Sequence, residues 1–195
     1  MNRHRRLAAV AVVLLVSACA TPIRDQEAEL AIAAVCCASP QQFPWVDVVI
    51  GQDVSIDLGP GSPVYVFAGE RSHFSAVRLD GSGPRVLLVK SRFNGQTTEQ
   101  YFHPIVTFYR EDLSMMSRVA TSVWQTTDSV LGPLYMRAEV QVPDTARYAT
   151  LSTGDEVRDR WVTPPATPLN WAVSPVSVHT PAPTGRIDLT LLAGN

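Results

Sequence analysis

Val54-Ser55-Ile56-Asp57-Leu58 opens the stretch VSIDLGPGSPVYVFAGERSHFSAVRL, residues 54–79. Its apolar and polar side chains alternate with period two, the pattern of a strand with one buried face. Gly59-Pro60-Gly61-Ser62-Pro63 ends that strand, because glycine and proline favour turns and proline lacks the amide hydrogen a sheet ladder needs. Val64 to Ala68 restarts the alternation, Gly69-Glu70-Arg71-Ser72 predicts a second turn, and Phe74 to Leu79 predicts a third strand.

Upstream, Trp45 to Ile50 (WVDVVI) is a valine-rich strand candidate. Downstream, Asp80-Gly81-Ser82-Gly83-Pro84 breaks the chain again, Arg85 to Arg92 forms a strand, Asn94-Gly95 turns, and Tyr101 to Tyr109 follows as a strand. Ser114 to Val119, Tyr135 to Val142, Arg147 to Ser152 and Arg186 to Leu192 complete the set. Ala120 to Val130 is polar and rich in serine and threonine, with Trp124 in its middle. Residues 163–183 hold six of the 15 prolines, which predicts a loop or an edge strand. Many short strands divided by glycine and proline turns predict a mostly β fold, an antiparallel, jelly-roll-like β-sandwich over residues 43–195. Thr21 to Val35 predicts either a short helix, capped by Asp25 with Leu30, Ala33 and Ala34 on its apolar face, or a tether.

The chain has 195 residues, 46% of them hydrophobic and 17% charged, with a formal charge of −2. That length favours one domain and excludes a large multidomain enzyme. The apolar fraction is enough for a core and argues against disorder. With no basic stripe to neutralise phosphates, nucleic acid is not an expected partner.

The N-terminus, MNRHRRLAAVAVVLLVSACATP, places Arg3, Arg5 and Arg6 before ten apolar residues, Leu7 to Val16. Such a run is too short to span a bilayer, which takes about 20 residues, but suits the core of a signal peptide. Val16-Ser17-Ala18-Cys19 resembles a bacterial lipobox. Residues 1–18 therefore read as a lipoprotein signal and Cys19 as the lipid-attachment residue, leaving residues 19–42 as a lipidated tether with its short helix. Two or more acyl chains anchor stably where one does not. Loss of three arginines takes the formal charge to about −5. Ala20 rather than aspartate follows Cys19, which predicts the periplasmic face of the outer membrane in a Gram-negative cell.

Lipidation of Cys19 leaves Cys36 and Cys37 as neighbours in an oxidising compartment. They form either a vicinal disulfide, two buried small hydrophobes or an intermolecular bridge. Zinc is not expected, because the partner ligands are missing at the usual spacing. No nucleophile elbow, zinc-protease helix, phosphate loop or dinucleotide fingerprint occurs, so neither catalytic residues nor a cofactor are expected. His103, in the apolar run YFHPIV, suits a structural role better than a base. The acidic doublets Glu111-Asp112 and Asp155-Glu156 lack calcium-loop spacing and read as solvated turns. Of Trp45, Trp124, Trp161 and Trp171, Trp124 has the most polar neighbours: Thr121, Ser122, Gln125, Thr126 and Thr127. It is the candidate for stacking on a sugar, although large aromatics more often fill cores.

Several blocks occur in a telling order: Cys36-Cys37-Ala38-Ser39, Phe43, Ser62-Pro63-Val64-Tyr65-Val66-Phe67, Gly69 through Leu79, and Tyr101 through Tyr109. Over residues 36–120, with a weaker echo at Arg147 to Thr153, this order resembles the maltose operon periplasmic protein family. There a CC-S start precedes an SP-x-x-x-F segment, a G-x-S-x-F strand and an F-x-P strand. The resemblance implies a periplasmic protein linked to maltose or maltodextrin uptake, and it carries over no catalytic residue. The combined expectation is a non-catalytic, lipid-anchored accessory to carbohydrate transport. The alternative is a structural or assembly lipoprotein acting through contacts with envelope proteins.

Overall fold

Alternating side chains need something to bury their apolar face, and here two sheets supply it to each other. The computed structural model describes residues 21–94, 99–130, 132–158 and 179–194. The predicted signal, Cys19, Gly95, Trp161, Trp171 and residues 163–178 of the proline-rich stretch lie outside these.

The strands are β1 (Trp45–Val48), β2 (Asp53–Leu58), β3 (Val64–Phe67), β4 (Glu70–His73), β5 (Ser75–Leu79), β6 (Arg85–Arg92) and β7 (Gln100–Phe102). They continue with β8 (Ile105–Tyr109), β9 (Met115–Ala120), β10 (Trp124–Thr126), β11 (Tyr135–Val142), β12 (Tyr148–Ser152), β13 (Thr180–Ala182) and β14 (Gly185–Ala193). One five-stranded sheet runs β1-β5-β12-β8-β9 and the other β10-β11-β6-β14-β2. All their pairings are antiparallel except β1 with β5, which is parallel. The fold is the β-sandwich that the spacing of turns predicts.

The core lies between the sheets. Val77, Leu79, Val106, Phe108, Ala149 and Leu151 face Leu87, Val89, Ala138, Val140, Ile187 and Leu189. Each strand therefore gives one face to the core, the arrangement expected of packed sheets. One end of the core is closed by Arg85, which is 1% exposed. Its guanidinium donates to the carbonyls of Asp80 (2.9 Å), Gly81 (3.1 Å) and Ala146 (2.9 Å), tying two loops together.

A second cluster covers part of the outer face of the first sheet. Phe43, Phe67, Phe74 and Ala76 form it, with Cys37, Trp45 and Tyr65 packed against it. The hairpin β3–β4 builds this cover and corrects the predicted turn at 69–72. The turn is Ala68-Gly69, both in the left-handed region (φ 51° and 94°), so Glu70 to His73 is free to pair with Val64 to Phe67. Backbone pairing there overrides the polar character of Glu70-Arg71-Ser72.

Three further readings change. The single strand expected over 101–109 is two, β7 and β8, parted at His103-Pro104, where proline has no amide hydrogen to give. The polar segment 120–130 contains a strand, β10, paired with β11. The helix α1 is Ile23–Ile32, with Pro22 at its N-cap position and no side-chain cap, so Asp25 sits in its first turn. Its buried residues are Gln26 and Leu30, whereas Ala33 and Ala34 lie past its end. A four-residue helix, α2 (Asp155–Arg158), follows β12. In the proline-rich stretch, Thr180 to Ala182 pairs in parallel with β7, in line with an edge strand.

Candidate functional site

The candidate site is the solvent face of the sheet β10-β11-β6-β14-β2, built from the side chains that the core does not take. Pairing sets them in rows. Trp124 lies opposite Arg137, Arg137 opposite Lys90, Lys90 opposite Asp188, and Asp188 opposite Ser55. In the next row Thr126 lies opposite Tyr135 and Tyr135 opposite Arg92, while Arg186 lies opposite Asp57. Residues directly opposite each other in an antiparallel pair interact most strongly, so the first row is a connected strip.

The charges in these rows hold one another. Asp188 accepts from Arg92 at 2.7 Å and from the Ser55 hydroxyl at 2.5 Å. Burial pushes the Asp188 carboxyl up, but the hydrogen bonds from Ser55 and Arg92 and the charges of Arg92 and Arg186 outweigh it and hold it below the usual range. The Tyr135 hydroxyl donates to Asp128 at 2.6 Å, and Lys90 bridges both oxygens of that carboxylate at 3.1 Å. These two contacts hold the Asp128 carboxyl down. Lys90 and Arg92 both lie over the Tyr135 ring, 5.2 and 5.3 Å from its centre. Arg137 pairs with Glu139 two positions along β11.

Trp124 stands at the margin of this face, 39% exposed. An exposed indole beside fixed donors and acceptors can stack on a flat apolar surface while its neighbours hydrogen-bond hydroxyl groups. Of the neighbours named from sequence, Thr126 shares the face, whereas Thr121 is buried and donates to the Pro104 carbonyl at 2.6 Å. The sequence alone does not single out Lys90, Arg92, Arg137 and Asp188. Their only signal there is the alternation of β6 (RVLLVKSR) and β11 (YMRAEVQV), which marks a polar face without saying which strands adjoin.

The other candidates have structural surroundings. Trp45 packs on Phe43, Tyr109 and Tyr148 and donates to the Pro40 carbonyl. Cys36 and Cys37 are joined as a disulfide, the Cys36 amide donating to the Val64 carbonyl at 2.9 Å. His103 is buried, one ring nitrogen 2.9 Å from the Thr121 carbonyl and the other 3.4 Å from the Tyr101 hydroxyl. Asp112 accepts from the Ser114 amide in a turn, and Glu156 pairs with Arg118. Among the described residues no group of histidine, cysteine or carboxylate side chains could hold a metal ion. Among them no helix is long and apolar enough to cross a membrane.

Comparison with known proteins finds no matching family model and no matching curated sequence. Among solved structures, the chain is similar to the pre-peptidase C-terminal domain of a collagenase from Bacillus anthracis. The identity is 5%, the match covers 76% of this chain and 95% of that one, and the TM-score is 0.34. At that score the likeness informs neither fold nor function.

Proposed function

We propose that this chain is a non-catalytic, lipid-anchored envelope protein on the periplasmic face of the outer membrane, an accessory to maltodextrin transport. The observation that carries the proposal is the place of Trp124, exposed at the margin of a sheet face whose donors and acceptors are set out by the strand register. The lipobox ending at Cys19 supports the anchoring, and the likeness of residues 36–120 to the maltose operon periplasmic proteins supports the substrate class. The engagement of both His103 nitrogens supports a role without catalysis. In this reading the indole stacks on a glucose ring and Arg137 and Lys90 meet its hydroxyl groups.

Replacing Trp124 tests the assignment. Trp124→Ala should weaken maltodextrin binding about tenfold, equivalent to roughly 1.4 kcal/mol, while Trp45→Phe should leave it unchanged. Equal affinity in the Trp124→Ala variant would remove the proposed face.

A second reading rests on β9, which among the described residues is an edge strand paired with β8 alone and carries Met115 (63% exposed) and Val119. A free edge with apolar side chains favours addition of a strand from an envelope protein. Co-purification of one envelope protein, lost when Val119 becomes lysine, would support it over sugar binding.

A further inference from the structure

The segment that follows the proposed lipid-attachment residue is fastened to the sandwich rather than hung from it. Gln26 of α1 is 5% exposed and works as a clamp. Its amide nitrogen donates to the Thr21 carbonyl and to the Gln100 side chain, both at 2.7 Å, and its oxygen accepts from the Thr184 hydroxyl at 2.6 Å. The far end of the segment is also held. Leu30 is buried, Arg71 donates to the Ala33 carbonyl, and the Cys36 amide is bonded to Val64. Thr21 is thereby fixed at the rim of an open cavity of about 280 Å³, together with Pro60, Asn94, Gln100 and Thr184.

These rim residues mark one end of the sandwich. Pro60 follows β2, Asn94 follows β6, and Thr184 precedes β14, and these three strands lie side by side. Only Ala20 separates Thr21 from Cys19. An extended chain advances about 3.5 Å per residue, so Thr21 stands at most about 7 Å from a lipidated Cys19. No free linker remains to let the domain drift from the bilayer. We infer that this end of the sandwich, with its cavity, is the membrane-facing surface, and that its partner is the headgroup layer of the anchoring membrane. The inference rests on the proposed lipidation of Cys19. Glu29 adds a carboxylate to this lining, which with the threonine and asparagine side chains suits zwitterionic headgroups, whose ammonium can meet the carboxylate and whose phosphate and ester oxygens can accept hydrogen bonds. The opposite end, with the Asp80–Pro84 turn, stands away by at least the length of the eight-residue β6, about 26 Å.

The test uses the full lipidated protein in phosphatidylcholine vesicles that carry a headgroup-attached acceptor dye. A donor is placed at Pro60→Cys or, in a separate protein, at Ser82→Cys, and acylation of Cys19 is checked by mass. The expected result is severalfold stronger energy transfer from position 60 than from position 82. Inserting eight Gly/Ser residues after Ala20 should abolish that difference, and a Gln26→Ala variant should reduce it. Equal transfer from both positions in acylated protein would overturn the membrane-facing assignment and leave lipidation standing. A chain without the acyl mass would overturn both.

Discussion

Arg85 shows how much one side chain carries at the end of this sandwich. Its guanidinium is buried and faces backbone carbonyls rather than a carboxylate. Burial, with the Arg147 charge, lowers its pKa from the usual range. A methionine would fill the space and leave those carbonyls unpaired, so Arg85→Met should cost about 3 kcal/mol in urea unfolding. A loss within experimental error would show that water replaces the guanidinium. In the sequence Arg85 is only the first residue of a strand. Nothing local reveals that its partners come from residues 80–83 and from Ala146.

His73 and His179 give stability a pH dependence. Burial lowers the pKa of both, outweighing the Ser62 backbone hydrogen bond and the Glu29 charge at His73, and the Glu99 charge at His179. In the unfolded chain they titrate near about 6.5. As pH falls through that value the unfolded chain takes up protons first, so stability is complete above it and declines below it. Melting temperature should therefore drop between about pH 7.5 and pH 5.5, and His73→Gln should flatten that drop. A flat profile in the parent protein would contradict the burial of these rings.

At the scale of elements, the hairpin β3–β4 and the segment around Cys36-Cys37 form a cover on the first sheet. Phe43 is central to it, with ring centres of Tyr65 and Phe74 at 4.9 and 4.6 Å. A disulfide between neighbours closes almost no chain and so removes little unfolded-state entropy. The double variant Cys36→Ser, Cys37→Ser should lose less than about 1 kcal/mol, measured by thermal or urea unfolding. A large loss would assign the pair an enthalpic role in holding the cover. Alternation in VSIDL and RVLLVKSR made most strands legible, because period two depends only on neighbours in sequence. The sequence points to a turn at 69–72 rather than at Ala68-Gly69 because Glu70-Arg71-Ser72 resembles turn chemistry, and only pairing with β3 makes it a strand. The parallel pairing of β1 with β5 had no local sign at all.

At the scale of the molecule, the sandwich buries one face of each sheet, the β3–β4 cover takes part of the first sheet's outer face, and the outer face of the second sheet is left for contact. The candidate face draws on five strands that span residues 53–193, so its rows follow from topology and not from any motif. Trp124 could be singled out because its polar neighbours are local, whereas Lys90 and Asp188 adjoin only through the sheet. With the α1 clamp intact, this face stands beside the end proposed to meet the membrane, which places Trp124 close to the bilayer surface. The function proposed for this face is binding of α-linked glucose oligomers. The most direct measurement is calorimetry, with tryptophan fluorescence alongside, of a chain beginning at Ala20 titrated with maltodextrins and with cellobiose as control. Saturable binding selective for the α-linked series is the expected result. A folded protein that gives no heat and no fluorescence change up to millimolar maltodextrin would contradict it.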